Sequence, residues 1–184
     1  MSTTQWRAVL TLPVDEGRDH VQGSAGAPVT LVQYGDYECP YCGQAYPIVK
    51  AVQARMGDRL RFVFRNFPIS TSHPHAEHAA EAAEAAGAQG KFWEMHDLLY
   101  ERQQHLGDGD LRGYAEDLGL DVQRFDAEMS GQVHKARVHE DFMSGVHSGV
   151  NGTPTFYING LRHEDSYDTE VLLGAVEHAA AANE

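Results

Sequence analysis

The chain has 184 residues, with 14 Lys and Arg against 27 Asp and Glu, a formal net charge of −13. That length suits one domain with a single sizeable core, residues 1–184, and the charge repels phosphate backbones and anionic lipid headgroups, so nucleic acid and membrane surfaces are not expected partners. No apolar run approaches the roughly 18 residues of a membrane span. The N-terminal "MSTTQWRAVLTLPVDEGRDH" has no positive region followed by a long apolar one, which predicts a cytoplasmic protein.

A Gly/Ala/Pro loop, "GSAGAP", lacks phosphate-loop spacing and leads into a strand at about Val29–Tyr34, apolar or β-prone nearly throughout. The strand runs into the only two cysteines, Cys39 and Cys42, in "YECPYCGQAYP". Beyond them Ile48, Val49, Val52 and Met56 recur at helical spacing, with Gly57 as a stop. "LRFVFRNF" alternates Leu60, Phe62 and Phe64 with Arg61, Val63 and Arg65, a second strand that completes a βαβ unit.

From about His73 to Val150 the period is helical. "HPHAEH" reads as a helix start with Pro74 in its first turn. Phe92, Met95 and Leu99 share one face, with Phe92–Trp93 as core packing, and Leu111, Tyr114, Ala115 and Leu118 share another. Asp121 caps a helix carrying Val122, Phe125 and Met129; Phe142, Val146 and Val150 continue at i+4 spacing on the next. "TFYI" with Asn159–Gly160 signals a hairpin with a type I′ turn. A final helix from about Asp168 places Val171, Leu172, Ala175 and Val176 inward. Strand, helix, strand, a helical block, a hairpin and a helix make an α/β fold with an insertion: core at 19–68 and 150–184, insertion at 69–149.

Two thiols three residues apart close too short a loop to staple a fold. They stand where a strand gives way to a helix, with Pro40 at its first position. Unpaired N–H groups and the helix dipole favour negative charge there, lowering a thiol at Cys39 into the range of about 3.5–7.5. Cys39 can then attack a disulfide, and Cys42, one turn further in, can resolve the mixed disulfide. Such a dithiol carries two electrons itself and requires no metal or organic cofactor; its partners would be protein or small-molecule thiols and disulfides.

With "VTLVQYGDYECPYC", "HPHAEHAAEAAEAAG" and "GVNGTPTFYING", the chain from about Asp19 to His178 resembles the thioredoxin-fold disulfide oxidoreductases, DsbA-like branch. The resemblance implies a thioredoxin-like core with a helical insertion between the βαβ unit and the C-terminal hairpin plus helix. It implies a cis peptide at Pro154 facing the cysteines, Thr153 offering backbone groups to an extended substrate chain, Pro40 and Tyr41 on the substrate side, and Pro47 kinking the active-site helix. Two positions depart from the family. The buried glutamate six residues before the first cysteine is Gln33, which cannot titrate, leaving Asp36 and Glu38 as the nearest acids. The intervening dipeptide is Pro-Tyr, and Glu38 adds negative charge, so Cys39 is expected in the upper part of the thiol range.

Other readings compete. Pro-Tyr also suits a glutathione-dependent glutaredoxin-like or transferase-like enzyme, with Arg65 as a cationic contact. A redox-sensing binding module would use the same pair as a switch. A Cys₂His₂ zinc site would recruit His73, His75 and His78. Tyr34, Tyr37, Tyr41 and Tyr46 either rim the site or pack, while His96, His134, His139 and His178 lie in helices without a partner pattern.

Overall fold

In a computed structural model, residues 8–184 are described. Five strands run β1 (His20–Gln22), β2 (Val29–Gly35), β3 (Leu60–Asn66), β4 (Thr155–Ile158) and β5 (Leu161–Arg162), in sheet order β1-β3-β2-β4-β5. β2 and β3 are parallel, pairing Val29 with Leu60 through Gly35 with Asn66; every other pairing is antiparallel. The crossover between them is α1 (Pro40–Met56), ended at Gly57. Five helices follow before the chain returns to the sheet: α2 (Ala76–Gly87), α3 (Phe92–Glu101), α4 (Asp108–Asp117), α5 (Val122–Ser130) and α6 (Lys135–His147). α7 (Thr169–Ala181) closes the fold. This is the thioredoxin-like arrangement with a helical insertion. The short edge strand β1 goes unannounced by its sequence; it lies against Phe62–Phe64 of β3.

Alternation along β2 and β3 assigns the two faces. Leu31, Phe62 and Phe64 pack with α1, α7 and the helical block, and Phe156 joins them. Val32, Tyr34, Val63 and Tyr157 face the other way, against Phe67, Val150 and Phe142. The hairpin turn is as its sequence implies: Asn159 and Gly160 both hold positive φ, 48° and 81°, which Asn and Gly tolerate best.

Two helices present different faces from those the spacing predicts. In α6 the inward residues are Val138, Asp141, Ser144 and Gly145, and Val146 is 43% exposed. Hydrogen bonding turned this helix. Asp141 accepts from the Asn66 N–H at 2.9 Å, Ser144 meets the Tyr34 hydroxyl at 2.8 Å, and Arg137 pairs with Asp141. Burial pushes the Asp141 carboxyl up to about 6 despite Arg137. In α7 the inward set is Leu172, Leu173, Val176 and Ala180, leaving Val171 42% exposed. Pro74 precedes α2, which starts at Ala76.

Arg65 is not a surface cation. It is fully buried on the sheet face opposite α1, its guanidinium fork on Asp19 at 2.9 and 3.0 Å and on the Tyr34 hydroxyl at 2.9 Å. Among the described residues no helix is long and apolar enough to cross a membrane. The first seven residues of the N-terminal stretch, on which the cytoplasmic reading partly rests, lie outside the described residues.

Candidate active site

β2 delivers its last residue, Gly35, to the start of α1, and Cys39 becomes the N-cap of that helix with extended backbone (φ −69°, ψ 122°). Its carbonyl accepts the first helical bond, from the Gly43 N–H at 3.0 Å. Pro40, at the first helical position, has no N–H to leave unpaired. Cys42 lies one turn in and is fully buried; Cys39 keeps 4% exposure. Both thiols are free. Pro40 and Tyr41 face solvent, Tyr41 at 61% exposure. Pro47 lies within α1.

The loop before β4 meets this helix end. The Thr153–Pro154 peptide is cis, and the Cys39 thiol points at the Thr153 carbonyl at 3.5 Å. Thr153 Oγ1 is buried without a hydrogen-bond partner of its own, and it sits where it can donate to either sulfur. The Thr153–Pro154 loop thus lies against the start of the helix that carries Cys39, Pro40, Tyr41 and Cys42, the placement the resemblance implies.

Electrostatics separate the two thiols. Cys39 is lowered from 9.0 to about 5, first by the hydrogen bond from Cys42, then by the Thr153 hydroxyl and the Cys42 and Tyr41 N–H groups, with burial opposing. That is nearer the middle of the reactive-thiol range than its upper end. The expected penalty from Glu38 is blunted, because its carboxylate is turned to His75, accepting from the backbone N–H at 2.7 Å and facing Nδ1 at 2.9 Å. Cys42 is raised well above the ordinary thiol value, first by burial and then by its bond to Cys39 and the charge there. Pairs of neighbouring groups pushed apart in this way mark acid–base and nucleophilic sites.

The zinc reading fails on geometry. His73 is taken by Asp36 at 2.7 Å, His75 by Glu38 and His78 by Asp108 at 2.8 Å. Among the described residues no three such donors cluster as a metal site would require. Asp36, the other acid beside the motif, is buried and saturated by N–H donors, so it is poorly placed to take a proton from Cys42. Gln33 is buried with its Nε2 unpaired.

The insertion reaches the motif through residues that periodicity alone does not single out. Gln103, just past α3, donates from Nε2 to the carbonyls of Tyr37 at 2.9 Å and Cys39 at 2.7 Å. Gly43 permits that approach: a Cβ there would lie 2.2 Å from Gln103 Oε1. His96 is buried and shares a 2.9 Å hydrogen bond with the Tyr37 hydroxyl; burial holds it well below the ordinary imidazole range, and so neutral. His134 pairs with Glu128 at 2.8 Å. Of the four tyrosines near the motif Tyr41 is exposed, Tyr46 is half-buried with its hydroxyl on Asp97, and Tyr34 and Tyr37 are core.

Residues 15–178 match the family model described as Thioredoxin. The chain belongs to the thioredoxin family. Among solved structures, a thioredoxin-like oxidoreductase from Silicibacter pomeroyi DSS-3 is 27% identical, with TM-score 0.79 over 90% of this thioredoxin-family chain and 94% of that one. Oxidised BdbD from Bacillus subtilis shares the fold at TM-score 0.83 and 24% identity, covering 95% of this chain and 99% of its own. Among curated relatives, Na(+)/H(+) antiporter NhaA 1 of Salinispora arenicola is 51% identical over 94% of this chain. Antiporter NhaA 3 of Salinispora tropica is 48% identical over 94%. The chain spans 26% of the length of each of these two relatives.

Proposed function

We propose that this chain is a DsbA-like thiol–disulfide oxidoreductase working through Cys39 and Cys42. One observation carries the reading: Cys39 caps a helix against the cis Thr153–Pro154 loop with its thiol lowered to about 5, while its buried neighbour Cys42 is raised.

The Cys39 thiolate attacks one sulfur of a substrate disulfide, so that a mixed disulfide forms and the other substrate sulfur leaves as a thiolate. Cys42 gives its proton to that departing thiolate and attacks Cys39 Sγ. The mixed disulfide breaks, a Cys39–Cys42 disulfide forms, and the substrate, reduced by two electrons, leaves as one thiol and one thiolate, the latter free to take a proton from water. Run backwards, the same steps oxidise a dithiol. Pro40, Tyr41, Thr153 and Pro154 form the wall along which the substrate chain lies, and the thiolate–thiol pair needs no cofactor.

Glutathione-dependent chemistry loses its one named cation, since Arg65 is buried on the far face. Reduction of insulin disulfides by the wild type, its loss in Cys39→Ser, and a trapped mixed disulfide in Cys42→Ser support the dithiol reading. Undiminished turnover by Cys42→Ser with glutathione contradicts it.

A second placement concerns the partner. The 51% identity to about a quarter of a protein named as a sodium–proton antiporter makes a membrane ion-transport protein the partner we propose. On that reading the pair serves as a redox sensor, and complex formation depends on whether Cys39 and Cys42 are oxidised. Redox-dependent co-purification from cell membranes tests it; equal recovery in both states speaks against it. The cytoplasmic location is likewise a proposal, checked by cell fractionation.

A further inference from the structure

Two short stretches, Asp36–Cys39 and His73–His75, interlock beside the thiol. The Asp36 carboxyl, only 1% exposed, accepts four hydrogen bonds. Oδ1 takes the N–H groups of Glu38 at 2.8 Å and Cys39 at 3.1 Å; Oδ2 takes the Ile69 N–H at 2.8 Å and His73 Nδ1 at 2.7 Å. One carboxylate thus ties β2, the cap of α1 and the segment leading to α2. It also places a negative charge one hydrogen bond from the Cys39 N–H, where it opposes a thiolate.

Among the described residues no lysine or arginine pairs with Asp36 or Glu38. Each acid is answered by a histidine instead. We propose that His73 is a positioning residue for Cys39: its imidazolium, held on the shared Asp36 carboxylate, cancels that charge at the start of α1 and links the readiness of the thiol to the protonation of His73. This rests on the dithiol reading above.

The groups facing His73 are Asp36 from the end of β2, Glu38 and Cys39 from the turn and cap of α1, and His75 on its own segment, which is occupied by Glu38. From α3 the Tyr100 hydroxyl reaches the Asp36 carbonyl at 3.5 Å. Burial, the largest influence on His73, disfavours its charge. The Asp36 hydrogen bond and the charges of Asp36, Cys39 and Glu38 outweigh it, raising His73 above the ordinary 6.5. As pH rises through the raised His73 pKa the imidazole becomes neutral, Asp36 is left uncompensated and the Cys39 thiolate is less stable. By reciprocity, removing the thiolate lowers the proton affinity of His73.

The test is an NMR titration of the His73 ring in reduced wild type and in Cys39→Ser. The expected result is a His73 pKa lower in Cys39→Ser by about half a unit or more; equal values overturn the proposal. In a second arm, thiolate absorbance in His73→Gln should show the Cys39 pKa raised by about one unit. Asp36→Asn should shift it the opposite way, and the double variant should restore it. Parallel shifts, or none in His73→Gln, overturn the proposal. The first arm stands even if a substitution at Asp36 or His73 prevents folding. Failure of the dithiol reading shows separately, as no Cys39–Cys42 disulfide and no turnover in the wild type.

Discussion

A thiol lowered from 9.0 to about 5 in the folded state makes stability depend on pH, and the dependence can be isolated. The folded value lies below the unfolded one, so the thiolate favours the folded, reduced protein. This contribution is present in full above the unfolded value and is lost as pH falls through about 5. pH 7 is about two units above the folded value, and at about 1.36 kcal/mol per unit the Cys39 contribution there is at most about 2.7 kcal/mol. Screening by the solvent beside the site brings it to about 2 kcal/mol. The perturbation is Cys39→Ser, and the assay is urea unfolding of both proteins under a thiol-free reductant at pH 7 and pH 4.5. Titrating groups that do not interact with Cys39, Asp141 among them, act on both proteins and drop out of the double difference, while the coupling of His73 to the thiolate is part of what it reads. The wild type should lose about 2 kcal/mol more than Cys39→Ser on acidification. Parallel losses, with a double difference under about 0.5 kcal/mol, refute the stabilised thiolate.

Cys42→Ala removes the hydrogen bond that contributes most to lowering Cys39, so the thiolate titration followed by ultraviolet absorbance should move up by a unit or more; an unmoved titration removes Cys42 as the cause. Gly43→Ala should drive Gln103 off the Tyr37 and Cys39 carbonyls and cost about 1–3 kcal/mol in chemical denaturation. A variant as stable as wild type would show that this clamp carries no weight. Asp19→Ala strands the buried Arg65 guanidinium and should cost about 3–5 kcal/mol by the same assay, whereas a neutral result would mean that water reaches Arg65.

What the sequence disclosed followed from local rules. Alternation fixed both faces of β3, Pro40 and Gly57 bracketed α1, Asp121 capped α5, and Asn159–Gly160 announced its hairpin. The cis peptide at Pro154 came only through resemblance, because nothing local marks it. The failures lie in tertiary packing. Val146 obeys helical spacing yet faces solvent, because hydrophobic periodicity assumes an apolar inner face, and α6 buries Asp141 and Ser144 against the polar side chains of β2 and β3. Val171 faces solvent for another reason: α7 has enough apolar residues for two faces, and it buries Leu172, Leu173, Val176 and Ala180. Arg65 reads as a surface cation until its distant partner Asp19 is known. Likewise His73, His75 and His96 have partners 37 to 59 residues away in the chain, and no spacing rule connects them.

The most direct measurement is the pH profile of alkylation of the reduced protein by substoichiometric iodoacetamide, with the modified cysteine located by peptide mapping. The stabilised nucleophile predicts a rate constant that reaches half its plateau near pH 5, with the label on Cys39 alone. A half-maximum near the ordinary thiol value of about 8.5, or a label on Cys42, would contradict it.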